Sequence, residues 1–136
     1  MAFRRIPVAF RDEPYVAHQR IFYALEEMKL VEQMHRKVFY AIHADHQRLD
    51  KPADIAAFMA KNGVDANQFL GHYNGFSMQA KLAQAAQLAK ADRIDGVPTL
   101  GVQGRYFTSP SLAGSHERAL ASCDACASLA CIENPL

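Results

Sequence analysis

Between residues 15 and 91 apolar positions recur at steps of three and four, the spacing of helices that pack by one face. Val16, Ile21, Phe22, Leu25 and Met28 form one stripe, and Val31, Met34, Val38, Phe39 and Ile42 form another. A single helix over both would be long for a globular domain, so the pattern predicts two, jointed near Lys29-Leu30. A polar stretch, 45–51, follows. Asp50 is expected to cap a helix entered at Pro52, with Ile55, Phe58 and Met59 facing inward. Gly63 stands where a left-handed stop is expected. Asp65 then caps a short helix with Phe69 and Tyr73, and Ser77 opens an alanine-rich helix to about Ala91 carrying Met78, Leu82, Ala85 and Leu88. Ahead of all this, Phe3, Ile6, Val8 and Phe10 predict a short, largely buried strand over residues 2–10.

After residue 92 the pattern changes. Arg93 to Pro98 is a breaker segment with a glycine and a proline. Thr99-Leu100-Gly101-Val102 and Arg105-Tyr106-Phe107-Thr108 read as strands joined at Gln103-Gly104 in a tight hairpin, with Tyr106 and Phe107 on opposite faces. Ser109-Pro110 ends the second strand, and a last helix starts near Ser115 with Ala119 and Leu120. A run of helices set between strands predicts a helical insertion in a small α/β sheet.

Composition narrows the function classes. The 136 residues are half apolar, and 15 basic against 14 acidic residues leave a net charge of +1. That balance gives no electrostatic basis for nucleic-acid binding. Arg4, Arg5 and Pro7 interrupt any export-signal run at the start. Cys123, Cys126 and Cys131 all lie in the tail, an odd count that makes no disulfide framework.

Three stretches, in order, carry a family resemblance. The segment Gly96-Val97-Pro98-Thr99-Leu100-Gly101-Val102-Gln103-Gly104-Arg105-Tyr106 is similar to the cis-proline loop and hairpin of DsbA proteins. Asp54-Ile55-Ala56-Ala57-Phe58, followed by Gly63 and Val64, resembles their helical insertion, and residues 3–10 resemble the strand after their active-site helix. The resemblance implies an α/β fold: a thioredoxin-like sheet, incomplete here, with an inserted all-helical domain. Residues 1–10 and 94–121 are then the remainder of the thioredoxin-like domain, 11–93 the insertion and 122–136 a divergent cysteine-containing tail.

The function so implied is protein thiol–disulfide oxidoreduction, forming disulfides in exported proteins of the periplasm. Its partners are extended, thiol-containing polypeptides and a membrane redox protein, with no cofactor and no metal. The loop would put Val97, Pro98 and Thr99 at the substrate, the backbone of Val97 pairing with an extended chain and the Val97-Pro98 bond being cis. The family's chemistry lies in a Cys-x-x-Cys at a helix N-terminus, where the dipole favours thiolate. No such pair stands at that position here, so the catalytic cysteines are expected in a longer parent sequence. Loss of the family's central strand would open two sheet edges, and a homodimer or strand swap is expected to close them. Two alternatives remain: a catalytically inactive fragment or peptide-binding module, and a glutathione-dependent isomerase of the same superfamily.

Two further motifs bear weighing. Cys123-x-x-Cys126 has redox spacing, but near the end of a final helix the dipole opposes a thiolate. His43-x-x-His46 could share a helix face, with Asp45 or Asp50 as a third metal ligand. It reads more simply as a solvated helix end. His18, His35, His72 and His116 show no distinguishing spacing, and the methionines on the apolar stripes read as core.

Overall fold

The computed structural model describes residues 3–10 and 14–133, with the side chains of 126–133 left aside. The chain divides into two compact units, Met1–Leu88 and Ala89–Leu136.

The first unit is helical. It holds α1 (Tyr15–Glu27), α2 (Val31–His43), α3 (Pro52–Lys61), α4 (Ala66–Tyr73) and most of α5 (Phe76–Ala91). α1 packs against α2 and α4, and α4 against α3. The apolar stripes meet in one core in which Ile21, Met34, Ile55, Met59, Phe69 and Met78 are completely buried. The joint after α1 falls where the pattern put it. Lys29 takes φ 58°, Lys29 N–H donates to the Glu26 carbonyl at 3.0 Å and Leu30 N–H to that of Leu25 at 2.8 Å. That is the Schellman closure, made with lysine in the left-handed position. α3 ends by the same device on Gly63 (φ 80°) and α5 on Arg93 (φ 52°). Asp65 caps α4, its Oδ1 accepting from Asn67 N–H at 2.9 Å and Gln68 N–H at 3.1 Å.

Three expectations for this unit need correction. Residues 3–10 form no strand, and Phe3, Ile6 and Phe10 are exposed. A strand needs a neighbour for its N–H and C=O groups, and among the described residues only the hairpin strands pair. The segment is held instead by side chains: Gln19 Nε2 donates to the Pro7 carbonyl at 2.8 Å, and Arg5 pairs with Glu32 at 2.8 Å. Asp50 does not cap α3. The cap residue is Lys51, without a side-chain bond, and the Asp50 carboxylate turns to Arg48 at 2.9 Å, where a full opposite charge is available. α5 starts at Phe76, one residue before Ser77, whose hydroxyl is engaged by Glu27.

The second unit contains β1 (Leu100–Val102), β2 (Tyr106–Thr108), α6 (Pro110–Ala113) and α7 (His116–Glu133). The strands are antiparallel, with Gly101 opposite Phe107. Gln103 (φ 52°) and Gly104 (φ 65°) turn between them in the left-handed conformations of a primed hairpin turn. A Cβ on Gly101 would lie 2.8 Å from Phe107 Cε1, so the ring occupies the space that glycine leaves. Beyond the strands, Ser109 does more than end β2: its hydroxyl accepts from Leu112 N–H at 3.2 Å and starts the one-turn α6, absent from the sequence expectation. α7 packs on both strands and on α6, burying Ala119. It runs to Glu133, so residues 122–133 of the cysteine-containing tail continue the helix, as their small, non-breaking residues permit.

Candidate functional site

The second unit places Val97, Pro98 and Thr99 on one loop between α5 and β1. Arg93 in its left-handed conformation closes α5, Ile94 N–H donating to the Ala89 carbonyl at 2.9 Å. The Val97-Pro98 bond is cis. Thr99 Oγ1 donates to the Gly96 carbonyl at 2.7 Å, tying the two ends of the turn across Val97 and Pro98. Val97 is 67% exposed. The loop runs directly into β1, and among the described residues β1 pairs on one side only, with β2. The arrangement offers an exposed Val97 followed by a strand with one edge unpaired among the described residues. An exposed loop that leads into a strand edge of this kind is a general geometry for pairing with extended backbone.

The other candidates fall elsewhere. Cys123 is half-buried in the interior of α7, well past its first turn at His116, and the Cys126 side chain lies outside those described. The motif is therefore mid-helix, where the sequence pattern had the helix ending. His43 is the last residue of α2 and lies tilted against Phe39 with ring centroids 4.3 Å apart, while His46 sits beyond the helix at φ 54°. The two imidazoles thus do not share a helix face.

One polar cluster was missed. Glu27, at the end of α1, accepts from Ser77 Oγ at 2.8 Å and from His72 Nδ1 at 2.7 Å, and pairs with Lys81 Nζ at 3.1 Å. The Ser77 hydrogen bond, helped by Lys81 and His72, pulls the carboxyl down to about 2 from 4.5 against the opposing effect of burial. The partners are 45 residues or more away in sequence, beyond any periodic signal. A clue existed: Glu26 and Glu27 close a helix at its negative end, which calls for cations, and Lys81 reaches both. The cluster ties α1 to α4 and α5.

A proline-turned hairpin backed by a helix, in a chain otherwise given to a helical bundle, defines a thioredoxin-like domain with a helical insertion. The chain belongs to the DSBA-like thioredoxin domain family, whose model matches residues 2–118. A thiol:disulfide interchange protein DsbA of Burkholderia cepacia is 42% identical over 113 residues, 83% of this chain and 53% of that protein. The crystal structure of a Pseudomonas aeruginosa DsbA variant superposes with a TM-score of 0.87 at 35% identity, over 91% of this chain and 66% of the other. A Proteus DsbA crystallised with a non-covalently bound peptide shares the fold, with a TM-score of 0.72 at 20% identity over 88% of this chain and 65% of its own. The chain spans about half the length of the curated relatives it matches.

Proposed function

We propose that this chain carries the polypeptide-binding face of a periplasmic protein thiol–disulfide oxidoreductase that forms disulfide bonds in exported proteins. The backbone of Val97 pairs with an extended, thiol-containing chain, Pro98 fixes the loop, and Thr99 braces it and leads into β1. Residues 1–10 and 94–121 make up the thioredoxin-like remainder, 11–93 the helical insertion and 122–136 the tail. The observation that carries this reading is the exposed Val97 at the head of a one-sided strand, in a chain of this family. A membrane redox protein would share the same face. A second copy pairing along the open strand edges is a further expected partner, and light scattering at two concentrations tests it.

Binding and turnover test the main reading separately. A cysteine-containing peptide should perturb the amides of residues 96–102, and unperturbed amides there would overturn the assignment. A second reading, a peptide-binding module without turnover, is favoured by one observation: no described cysteine side chain stands at a helix N-terminus. Insulin reduction by this chain separates the two. Turnover would place the chemistry within these residues and overturn the module, whereas binding without turnover places the chemistry outside them.

A further inference from the structure

The helical unit contains a cleft between α2, the 44–51 loop and α3, on residues that the proline loop does not use. It is an open cleft of about 640 Å³, within the size range of ligand sites. Its apolar lining consists of exposed Ala57 and half-buried Phe58, with buried Ala41 and Leu49. Five charged residues ring it: Lys37 from α2, Asp45 and Arg48 from the loop, and Asp54 and Lys61 from α3. Asp54, Ala57, Phe58 and Lys61 are spaced to share one face of α3, with a carboxylate at one end and an ammonium at the other.

Arg48 is occupied by Asp50 at 2.9 Å. Among the described residues the side chains of Lys37, Asp45, Asp54 and Lys61 form no ion pair or hydrogen bond, so both signs of charge stay open to a ligand. The loop wall is fixed in advance. His46 (φ 54°) and Leu49 (φ 44°) hold left-handed conformations that non-glycine residues keep only when their surroundings enforce them. Leu49 is plugged into the core, Gln47 N–H donates to the Ala41 carbonyl at 2.9 Å, and His18 Nε2 hydrogen-bonds the Arg48 carbonyl at 2.8 Å.

A simple anion would meet two carboxylates here, and a simple cation three basic groups. A ligand carrying both charges around an apolar centre matches the ring. We propose that the cleft docks a polypeptide segment in which an apolar side chain lies between a basic and an acidic residue. The apolar side chain seats on Ala57 and Phe58, the acidic residue meets Lys37 or Lys61, and the basic one meets Asp45 or Asp54. The inference rests on the reading that this chain acts on extended polypeptides, and adds to it a contact that needs no thiol.

The test is an amide-shift titration of the isotope-labelled chain with a cysteine-free peptide bearing leucine between lysine and glutamate. Shifts are expected at Lys37, Arg48, Asp54 and Lys61. Asp54→Ala combined with Lys61→Ala, both exposed, should weaken binding about fivefold while leaving the remaining amide spectrum in place, as should replacing the probe's two charges by glutamine. The single change Lys61→Gln should give a smaller loss in the same direction. Undiminished binding by the double variant, equal binding of the neutral probe, or no shifts in the cleft would overturn the proposal. Shifts confined to residues 96–99 would overturn it while leaving the functional reading intact. Shifts confined to the cleft, with a cysteine-containing peptide also silent at 96–102, would support it and remove that reading.

Discussion

In the helical unit Ile21, Met34, Ile55, Met59, Phe69 and Met78 are wholly buried, whereas in the hairpin unit Ala119 is the buried apolar residue among those described. There Val97, Leu112 and Leu120 face solvent instead. The cause is architectural. A helix satisfies its own backbone and needs only one face covered, so five of them can close a core among themselves. Two short strands that, among the described residues, pair only with each other have too little surface to enclose a core, and an isolated hairpin is marginal on its own. The helical unit therefore carries the packing, and the loop proposed to bind polypeptide lies on the unit with exposed apolar side chains, as binding segments generally do.

The sharpest way to break this contrast is to empty the helical core. Phe69→Ala removes a completely buried ring and should destabilise the helical unit by about 3–5 kcal/mol, read by denaturant titration of its helical signal. A loss under 1 kcal/mol would mean that the core is not where the stability lies.

Next in size is Glu27. Its folded-state pKa, about 2, is depressed below the unfolded value of 4.5. Its contribution is therefore whole above about pH 4.5 and lost as pH falls from there towards 2. Glu27→Gln should remove about 2–3 kcal/mol near neutral pH and flatten the melting temperature across that acid window. A variant as acid-labile as the parent would show that other carboxyls control acid unfolding.

Smaller effects probe the ends and turns of each unit. Asp65→Ala removes the α4 cap and should lower stability by about 1 kcal/mol in the same titration, with Asp65→Asn restoring most of it. In the hairpin unit, Gly101→Ala pushes a Cβ into the Phe107 ring. Because that ring is partly exposed it can swing aside, so the expected loss is about 1 kcal/mol, seen as faster hydrogen exchange at residues 100–108. Smallest is Thr99→Val, which deletes the bond to the Gly96 carbonyl. About 0.5–1 kcal/mol is expected, detected as increased motion of residues 96–99 with the helical unit unchanged. An equal loss of protection throughout the helical unit would contradict the local role given to Thr99.

Wherever one residue's own chemistry decides the backbone, the amino-acid order was enough. Periodicity located the helices, Gly63 and Asp65 marked a stop and a start, Gln103-Gly104 marked the hairpin turn, and the proline segment carried the family resemblance that predicted its cis bond. Lys29 and Arg93 end helices as Gly63 does, but lysine and arginine advertise no left-handed preference, so only the apolar Leu30, Val64 and Ile94 that follow the three stops hint at the shared motif. Residues 3–10 look like a strand because Phe3, Ile6, Val8 and Phe10 crowd a short stretch, but pairing depends on a partner that local sequence cannot supply. The Glu27 cluster, the Arg48-Asp50 pair and the charged cleft likewise join side chains from several elements, or from a loop bent by residues with no turn signature. Short-range sterics are written residue by residue along the chain, while a contact between distant residues is a property of the packed fold.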